Sequence, residues 1–304
     1  MIKKFVAYMQ QASYLKYETK YKLIKHILIT MFALLCLILL ILFIASMFYF
    51  HRITSHASAM SDNELKKKAI HFAGDEAIDH KNSNILQAYD QSQNTLIVGP
   101  KRVNSNVIAA LTSSEDTLFY QHNGILPKAL IRAMIQDVFN VKQSSGGSTI
   151  TQQLIKNQVL SSEKTYRRKA NELVLSLRLE KILTKDEIVY TYLNVVPFGR
   201  DYNGSNITGI ASASYSLFGI PPSKLNIAES AYLIGLLQSP YTYTPYDEDG
   251  SIKNNNQFNI GIQRQHYVLK RMRVENKISV KDYHKALNFD IKHHLLQRDK
   301  QDAS

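Results

Sequence analysis

Residues Ile27 to Phe50 form 24 consecutive positions without a formal charge, and Leu, Ile, Phe and Met dominate them. A hydrocarbon core of ~30 Å needs about 20 helical residues, so this run is long enough to span a bilayer. Before it, residues 1–26 carry six lysines (Lys3, Lys4, Lys16, Lys20, Lys22 and Lys25) against one acid, Glu18. Directly after it stand only His51 and Arg52. Basic residues collect on the cytoplasmic side of a span, which predicts a cytoplasmic amino terminus and places the bulk of the chain outside. A cleaved signal peptide, with Ala57-Ser58-Ala59 at the cut, competes with this reading. Its apolar core would run only about 7–15 residues. A buried core hairpin fits the unbroken run and its basic flanks poorly.

An apolar share of 45% allows a sizeable core in the remainder. The net charge of +12 suggests an anionic partner. Nucleic acid is disfavoured as that partner by the export topology. One cysteine, Cys36, excludes an intrachain disulfide and a thiolate zinc cluster. The ten histidines show no metal-binding spacing, and His293-His294 sits in a basic tail. No transition-metal site is legible.

Residues 51–84 are polar and helix-prone, the composition of a stalk. Ile85 to Tyr89 and Thr95 to Val98 flank Asp90-Gln91-Ser92-Gln93-Asn94, which reads as a small β-hairpin before the main domain. From Val107 the periodicity turns helical, with Val107, Ile108, Ala110 and Leu111 on one stripe leading to Glu115. Thr149 with Gln152, Thr184 with Glu187 and Asn226 with Glu229 have the spacing of capping boxes. Helices are expected over about 166–183, around Ile188 to Leu193, over about 207–218, over about 225–238 and near Val280 to Leu287. No long stretch alternates with period two after residue 107, so the fold class is mainly α. The expected division is a basic tail (1–26), a transmembrane helix (27–50), a stalk (51–84), a main domain (85–253) and a basic helical extension (254–304).

Three segments could carry chemistry. Glu115 follows an apolar helix and precedes Asp116 and Phe119, so partial burial is expected, a setting in which a carboxylate can serve as a base. An ordinary helix-terminal acid would look the same. Gly146-Gly147-Ser148-Thr149 opens a helix whose first N–H groups can hold an anion. Along that helix Gln152 and Lys156, then Gln153 and Asn157, lie four apart and make a polar face, which a solvated surface also explains. Lys164, Arg167, Arg168 and Lys169 form a cation cluster suited to a pyrophosphate, with Glu172 one turn beyond Arg168. A salt-bridged surface helix is the plainer account of that cluster.

In combination, these segments closely resemble glycosyltransferase family 51. This is the peptidoglycan glycosyltransferase domain of class A penicillin-binding proteins and of monofunctional peptidoglycan polymerases. The motifs stand here as Glu115-Asp-x-x-Phe119-x-x-His122-x-Gly124, Gly147-Ser-Thr-Ile-Thr-Gln-Gln-Leu-x-Lys-Asn157 and Arg168-Lys-x-x-Glu172. Lys185-x-x-Ile188-x-x-x-Tyr-Leu-Asn194 and Gly209-Ile-x-x-Ala213 follow, and the resemblance runs over about residues 85–290.

The resemblance implies a lysozyme-like helical domain that polymerises lipid II into glycan strands at the outer membrane face. Glu115 matches the family's general base and Glu172 its second carboxylate. Lys156, Lys164, Arg168 and Lys169 match positions that bind the leaving pyrophosphate. Ser148, Thr149, Gln152, Gln153 and Asn157 match cleft-lining positions, and Asp116, Phe119, His122 and Asn194 are further substrate-binding candidates. The family often uses a divalent cation such as Mg²⁺ or Mn²⁺, for which no protein ligand set is legible. Cell-division or elongation proteins are candidate partners.

The chain departs from the family pattern with Tyr190 for a usual glutamate, Leu217 for a usual tyrosine, Lys164 for a frequent arginine and Ser214 for a usual alanine. The serine, Ser-x-Asn and Lys-Thr-Gly motifs of a transpeptidase are not found in these residues. The chain is therefore expected to be either a monofunctional enzyme or a fragment of a bifunctional one. A lysozyme-like lytic enzyme and an inactive membrane-anchored scaffold are the alternatives. The cation cluster argues against the lytic enzyme, which needs carboxylates but no pyrophosphate site.

Overall fold

A computed structural model describes residues 2–71, 84–138, 147–161, 163 and 165–297. Helix α1 runs Ile2–Ala59, and the chain divides into two units, Met1–Ser55 and His56–Ser304. The first unit is helical throughout its described length, and its apolar side chains, such as Leu35, Leu39 and Phe43, are exposed. It holds a window long and apolar enough to cross a membrane, with none of that window buried by protein.

The second unit starts with the last turn of α1. Arg178 satisfies carbonyls there that have no helical partner. Its Nη1 donates to Ala57 O at 2.9 Å, its Nη2 to Met60 O at 2.6 Å, and the same Nη2 pairs with Asp62. Ser61 then caps α2 (Asp62–Ala69), its hydroxyl accepting from Glu64 N at 3.2 Å. Leu65, Ala69 and Ile70 are fully buried. Residues 56–70 are therefore part of the packed unit rather than a free stalk, because those three side chains recur on one apolar face.

The hairpin expected over 85–98 is not present. Instead, α3 (Ile85–Gln91) starts at Asn84, whose side chain accepts from Gln87 N at 3.0 Å. Ile85 and Tyr89 are its buried positions, four apart, a spacing that suits a helix as well as a strand face. The segment at 95–98 finds no strand partner. Val98 exchanges two hydrogen bonds with the side chain of Asn194 instead, at 3.0 and 2.9 Å.

The remaining α-helices and strands among the described residues are α4 (Ser105–Ser114), α5 (Pro127–Val138), α6 (Ile150–Gln158), α7 (Tyr166–Ile182), α8 (Lys185–Val195), strands β1 (Pro197–Arg200) and β2 (Asn206–Thr208), then α9 (Ile210–Phe218), α10 (Ile227–Leu236), α11 (Pro240–Tyr243), α12 (Asn255–Val274), α13 (Val280–Leu287) and α14 (Ile291–His294). The two strands pair antiparallel with a bulge between Pro197 and Gly199. The capping boxes at Thr149, Thr184 and Asn226 are all formed, and the mainly α reading holds.

Helix α10 is the axis of the core. Ala228, Ala231, Tyr232, Leu233, Ile234 and Leu236 are each at most 2% exposed, so it is buried on all sides. It packs against α4 and α12, and Gln265 Nε2 of α12 donates to Ala228 O at 2.9 Å. Helix α12 is thus integral to the domain rather than an extension beginning at 254. On the other side, α6 lies between α7 and α8.

Candidate functional site

Glu115 stands at the C-cap of α4, its N–H donating to Leu111 O at 2.9 Å. Both carboxylate oxygens have donors. Gln153 Nε2 of α6 lies 3.2 Å from Oε2, and Arg264 Nη2 of α12 lies 3.1 Å from Oε1. The Glu115 and Arg264 side chains are each 12% exposed, so the pair is sheltered yet open at one edge. Arg264 also packs its guanidinium over the Tyr267 ring, 4.4 Å from the centroid. Nothing in the local sequence joins position 264 to position 115, and sequence reasoning missed this residue.

The loop after Glu115 is fixed from below. Asp116 is buried, and its Oδ2 accepts from Ile150 N at 3.0 Å and from His122 Nε2 at 2.9 Å. His122 Nδ1 accepts from Gly124 N at 2.9 Å, so the ring proton sits on Nε2, facing Asp116. Asp116 thereby binds an N–H of the first turn of α6, where a negative charge is favoured. Phe119 is fully buried beneath Lys185 Nζ, 4.5 Å from its ring centroid. Thr149 and Gln152 are buried in their capping box, and the Thr149 hydroxyl donates to Gly124 O at 2.7 Å. Of the residues expected to bind substrate, Asp116, His122 and Thr149 join the Glu115 loop to α6, while Gln152 closes the capping box and Phe119 packs under Lys185. Asn194, also expected to bind substrate, has its amide committed to Val98 and to Tyr190 O.

The cations stand on α6 and α7. Lys169 Nζ lies 2.5 Å from Glu172 Oε1 and 3.0 Å from Ser148 Oγ, and Glu172 is 3% exposed. Lys156 and Asn157 are exposed at the end of α6. The Lys156 ammonium is held below its ordinary range. Partial desolvation of the ammonium at that surface is the largest cause, Arg168 and Lys169 add to it, and Glu172 and Glu115 oppose it. The 148–157 segment links the three motifs by contact: Gln153 reaches Glu115, and Ser148 reaches Lys169, which pairs with Glu172. Gly146 and Lys164 lie outside the described residues.

A cleft of about 290 Å³ is lined by Met60, Leu160, Leu175, Glu163, Arg167 and Arg168, among others. A larger depression of about 470 Å³ at the turn between α12 and α13, lined by Arg273, Lys277 and Asp282 among others, includes none of the expected site residues. Tyr190, which departs from the family pattern, is two positions from Tyr192 and so points to another side of α8. Its hydroxyl is pushed up to about 12, first by burial and then by the charges of Asp186, Tyr120 and Asp90. Leu217 and Ser214 are buried in α9.

A transglycosylase family model matches residues 82–273, most of the second unit, and the chain belongs to that family. Over 200 residues it is 39% identical to Penicillin-binding protein 1A of Clostridium botulinum, a match covering 64% of this chain and 23% of that protein. Penicillin-binding protein 1A of Haemophilus influenzae is 38% identical over 190 residues (62% and 20%). Penicillin-binding protein 1F of Bacillus subtilis is 34% identical over 182 residues (59% and 24%). The chain therefore spans about a quarter or less of these curated relatives.

Proposed function

We propose that this chain is a peptidoglycan glycosyltransferase that polymerises lipid II into β-1,4-linked glycan strands and releases undecaprenyl pyrophosphate. The observation that carries the reading is that one segment, 148–157, touches the surroundings of both carboxylates: Gln153 Nε2 lies 3.2 Å from Glu115 Oε2, and Ser148 Oγ lies 3.0 Å from the Lys169 ammonium that pairs with Glu172. On this reading a base and a polyanion site are both tied to that segment. The transglycosylase match over residues 82–273 supports the same chemistry.

Glu115 takes the proton from the 4-hydroxyl of the acceptor's N-acetylglucosamine. That oxygen attacks the anomeric carbon of the lipid-linked donor with inversion. The bond from that carbon to the pyrophosphate oxygen breaks, and its electron pair leaves with the phosphate. Lys156, Arg168 and Lys169, with Lys164, neutralise the departing charge, while Glu172 holds the Lys169 ammonium. Ser148, Gln153 and Asn157 line the site. A general base supplies about 10²–10⁴-fold. The rest of the acceleration comes from orienting two large substrates and from fixed charge around the leaving group.

The apolar helix anchors the chain with its amino terminus in the cytoplasm and the catalytic unit on the outer face. The cleft that includes Arg168 combines the apolar Met60, Leu160 and Leu175 with Arg167, a mixture that suits a phosphate carried on an isoprenoid chain. A divalent cation such as Mg²⁺ or Mn²⁺ would enter with the pyrophosphate. Among the described residues no group of three or more His, Cys, Asp or Glu could hold it on protein ligands alone. Proteins of cell division or elongation are the partners this reading suggests.

Incubation of the full chain in detergent with lipid II, with and without Mg²⁺, tests the reading. Growth of glycan strands is the expected result. No growth, with solubilised fragments appearing from purified sacculi instead, identifies a lytic enzyme and overturns it.

A further inference from the structure

We infer that Tyr192 is a positioning residue for the reaction, acting on Glu115 through the side-chain amide of Gln153. The inference rests on the polymerase reading, with Glu115 as its base. The Tyr192 hydroxyl lies 2.8 Å from Gln153 Oε1, and Gln153 Nε2 lies 3.2 Å from Glu115 Oε2.

The direction of this chain of hydrogen bonds follows from donor inventory. An ionised carboxylate only accepts, so the end of the Gln153 amide that faces Glu115 must be its NH₂. The carbonyl end is then left facing Tyr192, whose hydroxyl must donate. Burial, with the Glu115 charge behind it, pushes the Tyr192 hydroxyl well above its ordinary range, so the phenol keeps the proton it donates. Tyr192 is fully buried on α8, inside the packing of α6 against α8, and reaches no substrate itself.

Without that hydroxyl an amide can turn through half a circle at little cost, because its two ends have nearly the same shape. Turned, Gln153 would present its carbonyl oxygen to the Glu115 carboxylate, and the two acceptors would repel. Oε2 would lose its donor, leaving Arg264 on Oε1 to set the carboxylate's angle alone. The hydroxyl therefore selects the amide orientation in which Glu115 is aimed.

The test is a double-mutant cycle on lipid II polymerisation by the full chain in detergent, using Tyr192→Phe, Gln153→Ala and both together. Tyr192→Phe is expected to lower kcat about tenfold with KM for lipid II unchanged, the pattern of a misaimed base rather than lost binding. The double variant is expected to be no worse than Gln153→Ala. Additive losses, or a Tyr192→Phe protein with wild-type kcat, overturn the inference. Should Tyr192→Phe not fold, Gln153→Glu decides. That change keeps size and an acceptor for Tyr192 but removes the donor to Glu115, so wild-type kcat in this variant overturns the inference. A wild-type chain that makes no strands would sink the polymerase reading itself, a result separable from either outcome.

Discussion

Arg264 Nη2 sits 3.1 Å from Glu115 Oε1, across 149 residues of chain. The contact makes α12 a wall of the site. Charged hydrogen bonds of this kind contribute about 1.5–3 kcal/mol each. Arg264→Ala should lower unfolding stability by about that amount, read as a shift in urea midpoint at unchanged slope. Polymerisation should also slow, because Oε1 of Glu115 loses its donor. Arg264→Lys should recover only part of both, since an ammonium lacks the planar fork that also packs on Tyr267. Full recovery by lysine would reduce the contact to simple charge.

Lys156 leads to a pH prediction. Its ammonium is held below the ordinary 10.5, mainly by desolvation, so it loses its proton at a lower pH than a free lysine. Donor binding that depends on its charge should weaken on the alkaline side before pH 10.5, read as a rise in KM for lipid II. Lys156→Arg should move that limb upward, because guanidinium stays charged. Lys156→Ala should raise KM about tenfold or more at neutral pH, the loss of one charged contact. An alkaline limb unchanged in Lys156→Arg would assign it to another group.

Gly124 has φ +91°, and a Cβ there would meet Ser176 O of α7 at 2.6 Å. Gly124→Ala should destabilise by roughly 1–3 kcal/mol from backbone strain alone. The clash adds to this, because backbone on α7 cannot swing aside as a side chain would. Thermal unfolding checks it, and a melting temperature equal to wild type would contradict the assigned turn.

Arg178 separates two effects. Its bonds to Ala57 O and Met60 O are backbone contacts, whereas its partner Asp62 is 67% exposed. Exposed ion pairs contribute about 0–1 kcal/mol. Asp62→Ala should therefore change stability little and Arg178→Ala clearly more. Equal effects would mean that the ion pair, rather than the carbonyl capping, holds the end of α1.

Much of the helical frame was legible because its signals are local. Thr149, Thr184 and Asn226 each sit three residues before a Gln or Glu, and each forms the capping box that spacing implies. The expected hairpin at 85–98 failed because a short apolar run with a polar turn suits both strand and helix. The deciding partner, Asn194, lies 96 residues away from Val98. Strands of four and three residues at 197–208 were too short to show a period.

Within the candidate site, the motifs found Glu115 and Glu172, which Gln153 and, through Lys169, Ser148 tie to one segment. They did not separate these from Asp116, His122 and Thr149, whose polar atoms face inward to hold the loop. Arg264 left only a faint trace. Arg271 stands seven positions on, the same face of a helix, and reaches Ser113 O at 3.3 Å. Two cations at that spacing in a basic tail mark a face turned toward an acidic or carbonyl-rich partner.

The central claim is that Glu115 removes the acceptor's proton. The most direct measurement is the rate of strand formation from lipid II by purified Glu115→Gln, set beside wild type and a melting curve for each. The side chain keeps its size, so the variant should fold. Its polymerisation should fall by about 10²-fold or more, the loss expected for a general base. A folded Glu115→Gln protein that still makes strands at the wild-type rate would contradict the account.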